Sequence, residues 1–237
     1  VSAVPAERLR KMEGSVTVSG TQENITLTDI DVSVDVSRLR GGVAIALRER
    51  PGFGIGLSLD KINVDAYLPK QNSSEALATG SNAQARENDA GAIKPSERIF
   101  KKSDGFAALN GFDAILQLKV GELVYRTQKM RGINLDSTLQ AGMLEVRDAS
   151  VANLEGAKVS AKGRIEGLVG APKADLWINI DAPNVDKLLS LANVAAPTSI
   201  GPGKLSGTFR GDMQNLIVDT SLQAFGANLK VKGTVAA

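Results

Sequence analysis

The chain contains no histidine and no cysteine. The first absence removes imidazole acid–base catalysis and the Ser–His–Asp and Cys–His nucleophile systems. Together the two remove zinc sites built on His or Cys ligands. The second also removes disulfides, although it identifies no compartment by itself. Aromatic residues are only 4% of the 237 residues, so any apolar surface is built from Val, Ile, Leu and Ala. Tyr67, Tyr125 and Trp177 are too scattered to form a base- or sugar-stacking platform. No apolar run approaches the ~18 residues of a transmembrane helix. No signal peptide opens the chain. The 28 basic and 26 acidic residues are interspersed and leave a net charge of +2, which is no nucleic-acid signature. Weak attraction to anionic lipid headgroups is compatible with it.

Hydrophobic residues make up 43% of the chain, enough for a sizeable core and too many for wholesale disorder. The length allows one large all-β domain or two small ones. The ending, Lys230-Val-Lys-Gly-Thr-Val-Ala-Ala237, reads as a strand cut short. The chain is therefore expected to be an excerpt of a longer protein, with any anchoring segment outside it.

Pro5 to Met12 reads as a short helix or irregular lead-in. A period of two follows. Val16 and Val18 alternate with Ser15, Thr17 and Ser19, and Ile25 and Leu27 with Thr26 and Thr28. In Asp29–Val36, Ile30, Val32, Val34 and Val36 are expected on one face, with Asp29, Asp31, Ser33 and Asp35 on the other. Gly41-Gly42 reads as a break, after which Val43, Ile45 and Leu47 resume the alternation. Pro51-Gly52 is a turn signal. Phe53, Ile55, Leu57 and Leu59 follow, with glycines at 52, 54 and 56 leaving one face bare.

From about Lys70 to Asp104 periodicity disappears and Ser, Asn, Ala, Gly and charge dominate, which predicts a flexible surface insertion. Leu116, Leu118 and Val120 restart the alternation. Further strands are expected over Leu123–Tyr125, Ile133–Leu139, Met143–Val146, Lys158–Ile165, Leu176–Ile180, Leu205–Arg210, Leu216–Ala224 and Ala227–Val235. Asn184–Ala192 has helical spacing, with Val185, Leu188, Leu189 and Ala192 on one stripe. Ile200-Gly-Pro-Gly203 reads as a turn.

Two segments look alike. Leu57–Leu68 aligns without gaps to Ile178–Leu189, sharing Asp60/Asp181, Asn63/Asn184, Val64/Val185, Asp65/Asp186 and Leu68/Leu189. Each reads as a strand, an aspartate, and an Asn-Val-Asp that caps a helical turn. Asp136-Ser-Thr-Leu-Gln-Ala141 echoes Asp219-Thr-Ser-Leu-Gln-Ala224. Together these favour a repeated strand module growing along one sheet.

Candidate chemistry is sparse. The Asp29, Asp31, Asp35 row is read as a solvated strand face, because no ligand loop accompanies it as calcium would require. Asp60, Asp65, Asp181 and Asp186 are assigned to caps and turns over paired catalytic carboxylates. Arg210-Gly-Asp212 is a turn. The aliphatic rows fit two architectures: a closed sandwich or barrel core, or an apolar face left open.

Asp60-Lys-Ile-Asn-Val-Asp-Ala-Tyr-Leu-Pro69 resembles the strand and D-x-Y-L-P element of AsmA-like envelope proteins, where a variable polar insertion also follows. Phe112–Leu118, Leu135–Leu139, Gly142–Val146, Leu154-Glu-Gly156 and Lys162-Gly-Arg-Ile165 are similar to that family's C-terminal repeat. Glu155-Gly156 departs from the usual Gly-Gly pair. The resemblance spans roughly residues 14–237. It implies an inner-membrane anchor, a periplasmic body and a role in outer-membrane lipid homeostasis, with kinship to bridge-like, chorein-type lipid-transfer proteins.

The resulting expectation is an all-β, strongly curved, mostly antiparallel open sheet with one or two short helices. Its parts are an N-terminal strand module over 1–69, an insertion over 70–108, and a C-terminal module over 109–237 continuing the same sheet. The expected role is non-enzymatic phospholipid binding and transport between inner and outer membranes, without cofactor or metal. Expected lipid-facing residues are Ile30, Val32, Val34, Val43, Ile45, Leu57, Leu59, Leu116, Leu118, Leu176, Ile178 and Ile180. Expected partners are phospholipid acyl chains and other envelope proteins, not nucleic acid. The competing expectations are an envelope scaffold with a closed β core and a carbohydrate-active fold using two carboxylates.

Overall fold

The computed structural model describes residues 11–67, 108–168, 170–191, 199–212 and 214–236. Twelve strands form one sheet in strict chain order. They are β1 (Met12–Gly20), β2 (Asn24–Val34), β3 (Ser37–Ala46), β4 (Gly52–Asn63), β5 (Asp113–Tyr125) and β6 (Gln128–Gln140). The second half comprises β7 (Met143–Leu154), β8 (Ala157–Glu166), β9 (Lys173–Ala182), β10 (Gly203–Gly211), β11 (Asn215–Ala224) and β12 (Ala227–Ala236). Helix α1 (Val185–Leu191) follows β9, and 3-10 turns occupy Val64–Ala66 and Ala108–Asn110. Most of the expected lead-in over Pro5–Met12 and nearly all of the expected insertion lie outside the described residues; Met12 itself begins β1.

Every neighbouring pair is antiparallel except β4 and β5, which run parallel. Substantial contacts between strands join only neighbours. β1 and β12 remain at opposite ends, so the sheet is open. Four two-residue hairpin turns, Arg126-Thr127, Ala141-Gly142, Glu155-Gly156 and Phe225-Gly226, have positive φ at both positions. That is the type I′ conformation, whose twist matches the flanking strands.

The closed-core expectation is overturned here. Among the described residues, the only buried hydrophobic side chains are Val120, Leu139, Ala157 and Ala182. A sandwich or barrel would bury its entire inner rows. The described residues form a single layer, and none of their other elements stacks on it as a second layer.

Three local expectations also need correction. β3 runs unbroken through Gly41-Gly42, because ladder pairing on both sides outweighs the weak strand preference of glycine. β2 ends at Val34, and Asp35-Val36 forms the turn, with Asp35 at φ 54 and Val36 63% exposed. Val36 therefore does not extend the apolar row. Asp29, at φ 53, is the extra residue of a bulge against both β1 and β3, so it is not part of a regular acidic row.

Candidate functional site

Directly opposed residues on paired strands place their side chains on the same face. Following the partners across the sheet gives one unbroken aliphatic row from β2 to β12. It consists of Val32, Leu39, Leu59, Val120, Ile133, Val151, Val159, Ile180, Leu205, Leu222 and Leu229. Ten inter-strand steps of about 4.8 Å make it roughly 48 Å long. Parallel rows contain Ile30, Leu57, Leu118, Leu135 and Ile178, then Val43, Ile55, Leu116, Val146 and Leu176, then Ile45, Phe53, Leu139 and Leu144.

The opposite face carries an equally long polar row. Ser15, Asp31, Arg40, Ser58, Lys119, Asn134, Ser150, Ser160, Asn179, Ser206, Ser221 and Lys230 are successive partners from β1 to β12. Ion pairs cross it: Arg38 to Asp31 at 2.5 Å, Arg131 to Glu122 at 2.9 Å and Arg210 to Asp175 at 3.2 Å. The guanidinium of Arg38 holds Asp31 below the usual carboxylate range. This leaves Asp31 as an arginine partner on a wet strand face.

Among the described residues, the seven buried non-glycine residues, Ser37, Val120, Ser137, Leu139, Ala157, Ala182 and Thr220, all fall on the aliphatic face. α1 covers one end of it: a Cβ on Gly203 would lie 2.6 Å from Val185 Cγ2.

The structure brings all twelve sequence-predicted residues onto this one face. Val32, Leu59 and Ile180 lie in the long row, and the others lie in the rows beside it, with Val34 opposite Ser37 at its end. Leu39, Ile133, Leu135, Val151, Val159, Leu205, Leu222 and Leu229 belong with them and were not singled out. Leu39 was hidden between Arg38 and Arg40, just before the glycine pair. The three leucines of β10 to β12 follow the same alternation and were legible by the same rule.

Away from the Asp29 bulge, alternation also breaks toward one edge of the sheet. Beyond Gly121 and Gly132 (φ 60) the faces exchange. The aliphatic side continues through Ile62, Leu123, Met130, Leu154 and Ala157, and Glu122 and Arg131 move to the polar side. A Cβ on Gly121 would sit 2.3 Å from the backbone oxygen of Asp60, so the crossing requires glycine.

Three of the four aspartates that the two similar segments share accept backbone N–H groups. Asp60 Oδ1 accepts the N–H groups of Arg38 (2.7 Å) and Lys61 (2.6 Å). Asp65 accepts those of Arg126 (2.6 Å) and Thr127 (2.8 Å), closing the β5–β6 turn. Asp186 accepts the N–H groups of Ile200 (2.9 Å) and Gly201 (3.2 Å) and the hydroxyl of Ser199 (2.9 Å). Those donors, Ile200 foremost, lower its pKa. Asp181 pairs with Lys204 at 2.9 Å. Asn184 Oδ1 caps α1 by accepting from Lys187 N at 3.2 Å, whereas Asn63 makes no side-chain cap. Asp212 accepts from Gln214 and Asn215, which makes Arg210-Gly-Asp212 a strand end and turn. No group of three or more potential metal-ligating side chains occurs among the described residues. None of their helices is long and apolar enough to cross a membrane.

No protein-family model matches the chain, and no solved structure does. The chain is 22% identical to Protein AsmA of Escherichia coli (strain K12) over 194 residues. That alignment covers 81% of this chain and 30% of AsmA. The similarity supports an AsmA-like relationship, and the chain spans less than a third of that relative's length.

Proposed function

We propose that this chain is a non-enzymatic strand module of a periplasmic, inner-membrane-anchored AsmA-like protein, and that its aliphatic face forms a trough holding phospholipid acyl chains in transit to the outer membrane. The unbroken aliphatic row on an open sheet carries the reading. An acyl chain of ~16 carbons exposes about 0.8 kcal/mol per CH₂ to water, roughly 13 kcal/mol in all. Valine, isoleucine and leucine on one face offset that cost. The row, roughly 48 Å long, exceeds the ~30 Å hydrocarbon thickness of a bilayer, so a chain finds aliphatic contact at every position along it. The polar face keeps the assembly in water without a second layer.

Mass spectrometry of the chain purified in mild detergent tests this. Bound phospholipid is expected. Leu135→Asp and Ile178→Asp, on the aliphatic face, are expected to reduce it strongly, while Ser160→Asp on the polar face leaves it unchanged. Equal lipid loss from both faces, or none bound to the parent chain, would sink the reading.

A further inference from the structure

We propose that the β11–β12 hairpin tip and the cleft at its base dock on an anionic phospholipid bilayer. The argument starts from a backbone cost. The first position of a type I′ turn needs positive φ and favours Asn, Asp or Gly. Here it is Phe225, at φ 53 and 66% exposed. The other three such turns carry Arg126, Ala141 and Glu155. A bulky residue in the left-handed region is an outlier. Phe225 makes no ring contact among the described residues, so nothing within them offsets the strain. Strain of this kind at an exposed tip points to a contact outside the chain.

The cleft beside the tip indicates what that contact is. It has a volume of about 600 Å³ and is lined on the polar face by Lys158, Asp181, Lys204, Gln223 and Asn228, with Gly226 of the turn at its rim. Lys158, Asp181, Lys204, Gln223 and Asn228 are successive cross-strand partners. Asp181 is engaged by Lys204, and Lys158 forms no ion pair among the described residues. Lys230 stands one pleat further along β12 on the same face. An exposed aromatic residue at the tip, with ammonium groups and amide donors on the strands behind it, matches the boundary of an anionic membrane. There the ring enters the acyl region and the lysines meet phosphate. The proposal deepens the lipid reading by naming the surface from which lipid reaches the sheet, yet it does not require acyl chains to occupy the aliphatic face.

Vesicle flotation with the 237-residue chain tests it. Binding is expected to vesicles of phosphatidylglycerol mixed with phosphatidylcholine, and not to phosphatidylcholine alone. Phe225→Asn supplies the residue the turn prefers. It is expected to weaken binding about tenfold while leaving the unfolding midpoint unchanged or higher, which a structural role would not do. Phe225→Leu keeps an apolar tip and is expected to retain most of the binding. Lys158→Ala is expected to cost about fivefold. Equal binding to both vesicle types, no binding to either, or wild-type binding by Phe225→Asn overturns the proposal. Lipid bound in detergent is expected to be unaffected by Phe225→Asn. Its absence with vesicle docking intact would remove only the acyl-chain reading.

Discussion

The two Asn-Val-Asp units do different things with nearly the same residues. After β4, Asn63-Val-Asp65 leads to a strand that runs parallel. After β9, Asn184-Val-Asp186 leads to one that runs antiparallel. Both begin at the same edge of the sheet, and both aspartates accept backbone N–H groups there. The difference lies in whose. Asp186 holds Ile200 and Gly201, which immediately precede β10, and Val185 N donates to Gly201 O at 2.8 Å. β10 must therefore start at the edge where β9 ended. Asp65 holds Arg126 and Thr127, at the far end of β5. The start of β5 is instead fixed at the other edge, where Asp113 receives Arg50 at 2.6 Å and Arg48 at 3.4 Å. Residues 64–112 are ample for the crossover a parallel pair needs. A shared local motif thus fixes a helical turn and an anchor, while the anchor's partner fixes strand direction.

The sharpest way to break the first unit is Gly121→Ala. Its Cβ would lie 2.3 Å from a backbone oxygen of β4, which cannot yield without moving the strand, so a loss of about 3 kcal/mol is expected by urea denaturation. The corresponding change in the second unit, Gly203→Ala, meets a valine methyl at 2.6 Å and a backbone oxygen, that of Gln223, only at 3.2 Å. A side chain can move aside, so about 1 kcal/mol is expected. Equal losses at the two sites would contradict the distinction between backbone and side-chain approach.

Asp186→Asn tests the anchor itself. The Asp186 carboxyl titrates below its ordinary value, so the folded state binds its proton less readily than the unfolded state does. Its contribution is present above about pH 4 and is lost as pH falls through the lowered folded value. The variant is expected to be less stable at neutral pH and to lose less on acidification, read from denaturation midpoints across pH. The smallest effect is a gain: Phe225→Asn is expected to stabilise the chain by about 0.5–1 kcal/mol by relieving the turn.

Much of the fold was legible because a half-buried strand writes its two faces directly into alternate residues. The rows through Leu116 and Leu118 and through Ile178 and Ile180 were readable for that reason, as was the α1 stripe of Val185, Leu188 and Leu189. What misled were positions where the backbone departs from period two. Asp29 reads as one more polar residue in a strand and is a bulge. Gly41-Gly42 reads as a break, yet Gly41 is paired on both sides and Gly42 with Gly56 of β4. Asp136–Ala141 and Asp219–Ala224 echo each other, yet Ala141 is the first turn residue of its hairpin and Ala224 the last residue of its strand.

Composition and alternation by themselves determined that the chain makes strands with one aliphatic and one polar face, without His or Cys chemistry. Those are local properties, set by the pleat and by side-chain type. Only the tertiary structure decided that the strands pair in chain order, that β4 and β5 run parallel, that the faces exchange at Gly121 and Gly132, and that the sheet stays open. Each depends on which backbone groups meet across the sheet, and residues with identical alternation can meet in either direction.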